Sequence, residues 1–136
     1  MRHFVAILAG GLALSCTAAQ ALPAFSHQQA ELFAKCSGRL AALATHQRST
    51  RDAQAPENER LRAEFDVLLS AVLPDAQDQG VPSGQENRWR SQGWSEIAGF
   101  LADQHYSFDA TVADNARDAA ALRIAECRDV VLMPET

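Results

Sequence analysis

No stretch of this 136-residue chain reaches the roughly 20 consecutive apolar residues that a helix needs to cross a bilayer. No basic run occurs either. Lys35 is the only lysine, eleven arginines are scattered, and 17 acidic residues leave a formal net charge of −5. That balance argues against nucleic acid or an anionic lipid surface as the partner. Catalytic and cofactor signatures are missing as well. There is no C-x-x-C-H for covalent haem, no H-E-x-x-H for zinc and no phosphate-binding G-x-x-x-x-G-K-[ST] loop. G-x-S-x-G and the EF-hand loop are also absent, and no C-x-x-C pair offers a redox site. Each of those chemistries depends on its spacing, so the absences weigh against an enzyme of any of these types and against a resident metal or cofactor.

The N-terminus carries the anatomy of an export signal. Arg2 precedes an apolar run from Phe4 to Leu14, and Ala19-Gln20-Ala21 supplies the small-x-small pattern read by signal peptidase. Cleavage after Ala21 is expected, making residues 1–21 a signal peptide and 22–136 a single helical domain. A competing reading makes Cys16 a lipid-bearing residue and the protein a membrane-anchored lipoprotein. Lipoprotein signals place leucine three residues before the cysteine, and Leu14 sits one place too late, so ordinary cleavage is favoured. Removing 21 residues leaves 115, and with Arg2 gone eleven basic residues face seventeen acidic ones, a balance of −6. One domain of that size holds a real but modest core.

Cys36 and Cys127 then remain as an even pair in an oxidising compartment, where a disulfide is the expected state. The signal and the lack of a C-terminal address point to a bacterial periplasm or to secretion.

Helical periodicity runs through the rest. Ser26-x-x-Gln29 has the form of a capping box, and Leu32, Phe33, Cys36, Leu40 and Leu43 share one face, with fraying expected near His46 to Arg48. A second helix follows Pro56, with Leu61, Phe65, Leu68, Leu69 and Val72 as its stripe and Pro74 as its end. Residues 74–85 read as a loop. A third helix is expected near Ser83, with Ser83-x-x-Glu86 as a second capping box and Trp89, Gly93, Ile97, Phe100 and Leu101 facing inward. Gly93 is a candidate break, since glycine costs about 1 kcal/mol relative to alanine in a helix. Asp109 is an N-cap candidate for a fourth helix with Ala113, Ala116, Ala120, Ile124, Cys127 and Val131 on one face. No segment alternates like a strand. The expectation is an all-α, antiparallel four-helix bundle, with Cys36 and Cys127 bridging first and last helices as neighbours in an up-down-up-down arrangement.

Few residues invite a functional reading. His27 and Glu31 share a helix face but are two ligands where zinc wants at least three, and the segment 103–109 reads as a helix end with a polar cap. Arg39 and Arg128 lie beside the cysteines, where they would brace the bridge through a carboxylate such as Glu126 or Asp129. The segment 87–94 is the most distinctive, with Trp89 and Trp94 five residues apart and Arg88 and Arg90 flanking the first ring. Only one indole can face the core squarely. Trp89, Arg90 and Trp94 are therefore the candidate interface, since aromatic and Arg anchors dominate protein contacts. The favoured function is an exported noncatalytic protein that binds another periplasmic or envelope protein. The alternative is a b-type haem bundle with His27 and Met133 as candidate axial ligands.

Overall fold

A computed structural model describes residues 22–132. The expected export signal (residues 1–21), with Cys16, and Met133 lie outside the described residues. Within them the chain forms four helices and no strand: α1 (Ser26–Ser49), α2 (Ala55–Asp78), α3 (Gln85–Tyr106) and α4 (Ala110–Val131). It is an all-α bundle in which Cys36 and Cys127 join α1 to α4 through a disulfide, with Cα atoms 5.5 Å apart.

The helix ends differ from the sequence reading in instructive ways. Neither capping box forms. Phe25 is the N-cap of α1 and Gly84 that of α3, and neither helix has a side-chain cap. Gln29 donates to the Pro23 carbonyl instead (2.7 Å). Asp109 does cap α4, its Oδ1 accepting from the Thr111 and Val112 amides. Helix α1 stays intact to Ser49.

Pro74 does not end α2, which continues to Asp78. Its missing N–H removes one ladder bond, but the turn beyond it is anchored by the fully buried Ala76. The end is then closed by Gly80 at φ +100°, with the Val81 amide on the Ala76 carbonyl and the Gly80 amide on Gln77. Only a left-handed residue allows that closure, and glycine adopts it without a Cβ penalty. The loop therefore shrinks to residues 79–84.

Helix α1 is central. Its buried set runs around most of its circumference and includes Ala30, Phe33, Ala34, Cys36, Ser37, Gly38, Arg39 and Leu40. A helix made of small or apolar residues on most sides belongs inside. Helices α1 and α2 pack antiparallel, with the Phe33 and Phe65 rings 6.1 Å apart, Ser37 on Asp66 and Arg48 on Glu59. Helix α4 lies antiparallel on α3, with Arg123 on Glu96, and meets α1 only along a short stretch around the disulfide.

The α1–α3 pair is the feature that periodicity did not foresee. In a square up-down-up-down bundle these helices would sit on a diagonal, yet they pack closely and run the same way. Gly38 and Gly93 make this possible. A Cβ on Gly38 would fall 2.8 Å from the Arg90 carbonyl carbon, and one on Gly93 would fall 2.9 Å from that of Lys35. Gly93 is not a break. Helix α3 passes through it unbroken, because glycine there lets two backbones touch. Helices α2 and α4, excluded from that contact, stay apart.

Candidate functional site

The candidate interface divides on inspection. Trp89 is half-buried against the core, whereas the Trp94 indole is 40% exposed. Both follow from position: Trp89 is one helical turn before the buried Gly93, and Trp94 turns outward beside it. Arg90 is already engaged. Its guanidinium donates to Asp66 Oδ1 at 3.0 Å and to Asn87 Oδ1 at 3.3 Å. Asp66 also accepts from Ser37 Oγ (2.7 Å) and Arg62 (2.7 Å), so it ties α1, α2 and α3 together. Glu86, one turn before Arg90 on the same helix, leaves its buried Oε2 without a hydrogen bond.

Trp94 separates two shallow depressions. One is lined by Arg90, Ser91, Trp94 and Ser95. The other, of ≈ 270 Å³, lies between the C-terminal halves of α1 and α3, where Ala42, Thr45, His46, Leu101, His105 and Tyr106 join Trp94. Tyr106 is 81% exposed at its rim. The His46 and His105 rings meet here, with their Nε2 atoms 3.1 Å apart. This pair was invisible in sequence, since 59 residues separate the two and only the α1–α3 crossing brings them together.

Around the disulfide lies a second polar assembly. Arg39, buried on α1, donates to Glu96 Oε2 on α3 (2.7 Å) and to Glu126 Oε2 on α4 (3.2 Å). Arg123 on α4 completes the ring by pairing with the same two carboxylates at 2.8 Å each. The Glu126 charge and hydrogen bond, followed by the Glu96 charge, hold the Arg123 guanidinium above its ordinary value. That contribution is in place below the ordinary guanidinium value and is lost only as pH rises through the raised one, so Arg123 keeps its charge at neutral pH. The expected bracing by Glu126 is present, though Arg39 rather than Arg128 supplies it. Arg128 reaches the other way, donating to Asn58 Oδ1 (2.9 Å), while the fully buried Asn58 donates to Gln47 Oε1 (2.8 Å).

Neither His27 nor Glu31 joins a cluster of candidate ligands. His27 stacks on Phe25 and lies 3.4 Å from Gln79 Oε1. Glu31 pairs with Lys35. Among the described residues no three His, Cys, Asp or Glu side chains cluster to hold a metal ion, and no helix is long and apolar enough to cross a membrane. Comparison with protein-family models, with curated proteins and with solved structures finds no match to this chain.

Proposed function

We propose that this chain is an exported, noncatalytic helical protein that binds another protein of the cell envelope, with Trp94 as the anchor. The observation that carries this reading is the 40% exposed Trp94 indole on a helix whose backbone is locked against α1 one residue away. A large ring held on a rigid element loses little conformational freedom on binding, which is what an interface anchor needs. The disulfide supports an oxidising compartment, in keeping with the expected export signal and periplasmic location. Of the three candidate interface residues, Trp94 carries the proposal. Trp89 and Arg90 set its position from the core side and from Asp66. No observation favours the haem reading: His27 lies beside Gln79, and Met133 lies outside the described residues.

The test is capture from envelope extract by the disulfide-intact protein, comparing the parent with Trp94→Ala at unchanged helical circular dichroism. A photo-reactive residue at Ser91 or Ser95 then maps the contact. The reading expects a partner recovered by the parent, lost with Trp94→Ala and crosslinked from those positions. Equal recovery by both proteins refutes it.

A further inference from the structure

His46 and His105 sit in the last turns of α1 and α3, and their Nε2 atoms approach to 3.1 Å with ring centroids 4.7 Å apart. As a hydrogen bond between two rings accessible to water, this contact is worth little. As a pair of ligands it is well formed. Two nitrogens at 3.1 Å subtend about 95–102° at an ion bound 2.0–2.1 Å from each, between the octahedral and tetrahedral angles. The electrostatic setting agrees. Because α1 and α3 run the same way, the negative ends of both helix dipoles converge on this point and favour a cation. The neighbouring cation, Arg48, is held on Glu59 (2.9 Å) and Thr45 Oγ1 (3.0 Å).

We propose that His46 and His105 form an exchangeable two-imidazole site for a late first-row divalent metal ion, filled most tightly by Cu²⁺. Each ring ligates through Nε2 as the Nδ1–H tautomer. Imidazole donors suit copper, nickel and zinc, and among these Cu²⁺ binds a given nitrogen site most strongly. With no third His, Cys, Asp or Glu among the described residues gathered at the pair, the remaining coordination positions belong to water or to a donor brought by another molecule. The ≈ 270 Å³ depression beside the pair gives that donor room. The site is therefore open and exchangeable, unlike a closed structural zinc site. It clamps the C-terminal ends of α1 and α3, and it needs no protein partner.

The experiment is isothermal titration of the full, disulfide-intact protein with Cu²⁺, Zn²⁺ and Ni²⁺, on the parent, His46→Gln, His105→Gln and His27→Gln. Expected are one Cu²⁺ per chain, at least a tenfold loss of affinity in each of the first two variants, and no change with His27→Gln. Cu²⁺ should quench the fluorescence of Trp94, whose ring lines the same depression, and raise the melting temperature of the parent but not of His105→Gln. Absence of saturable uptake by the parent, or uptake that survives both substitutions, overturns the proposal. Circular dichroism of each variant separates loss of a ligand from loss of fold, and neither result depends on whether Trp94 binds a protein.

Discussion

Alanine is a better helix former than glycine by about 1 kcal/mol, so replacing a mid-helix glycine normally stabilises a protein. At Gly93 the opposite is expected, and the size follows from the crossing. A Cβ there would lie 2.9 Å from the Lys35 carbonyl carbon, with the carbonyl oxygen nearer still. Carbon atoms settle at about 3.5–4.0 Å, so α1 and α3 would have to part by at least about 0.6–1.1 Å. A gap of that size forfeits roughly a quarter to a half of the dispersion energy of the side chains lining the contact. The neighbour is backbone and cannot rotate aside, which puts the overpacking cost near the upper end of its usual range, about 3 kcal/mol. Subtracting the helix-propensity gain leaves Gly93→Ala destabilised by about 2 kcal/mol. Gly99 is an internal control on the same helix, since nothing lies within 4 Å of a Cβ built on it. Gly99→Ala should stabilise by about 0.5–1 kcal/mol. Urea denaturation of the oxidised proteins reads both effects. With m of about 1–3 kcal/mol/M, Gly93→Ala should lower the midpoint by about 0.7–2 M at unchanged m while Gly99→Ala raises it. Gly38→Ala added to Gly93→Ala should cost less than the sum, because the helices have already parted. A Gly93→Ala protein as stable as Gly99→Ala would refute the close crossing.

Replacing Cys36 or Cys127 by Ser opens a cross-link spanning 91 residues, for which chain entropy gives about 4–5 kcal/mol and measured losses run about 2–5 kcal/mol; denaturation with and without reductant checks this, and non-reducing peptide mapping should recover the two cysteine peptides joined. Arg39→Met leaves Glu96 and Glu126 sharing Arg123 alone. A wholly buried pair would lose about 3–5 kcal/mol, but these carboxylates are 27% and 34% exposed, so about 1–3 kcal/mol is expected. Arg39→Lys should recover only part of it, because an ammonium lacks the fork that reaches both carboxylates. Asn58→Ala should cost about 1–3 kcal/mol by stranding the buried Gln47 Oε1, and thermal melts of the variant measure it.

Four helices, the Asp109 cap and the inward faces of α3 and α4 were all legible in the periodicity, because those faces follow a simple 3.6-residue stripe. The cysteine pairing was legible from parity and the expected compartment. The centrality of α1 was not read, although its signal is present: between Cys36 and Ala44 small residues surround Leu40 on several sides, where a single stripe was expected. Gly93 shows the limit more sharply. Propensity values a glycine only by the helix it weakens, while its role depends on Gly38, 55 positions earlier and on another helix. Pro74 misled for a related reason, since the buried Ala76 and the Gly80 closure outweigh one lost ladder bond. His46 and His105 carry no local pattern at all, and their meeting is a product of the crossing.

That crossing also accounts for how the last helix is held. Once α1 and α3 pack at glycine distance, α1 has α2 on one side and α3 on the other, and little of its surface is left for α4. Ordinary side-chain interdigitation therefore cannot hold α4 to α1. The polar and covalent links fall where that packing is thin: the disulfide, the Arg39–Glu126 pair beside it, and Arg128 reaching across to Asn58 on α2. The same geometry leaves the outer edge of the α1–α3 seam uncovered by α2 or α4. Trp94 and the His46–His105 pair both sit on that edge, on the two helices whose relative position the glycines fix most tightly. A binding anchor and a metal clamp each need such fixity, which explains why both candidate sites of this protein lie along one helix–helix contact.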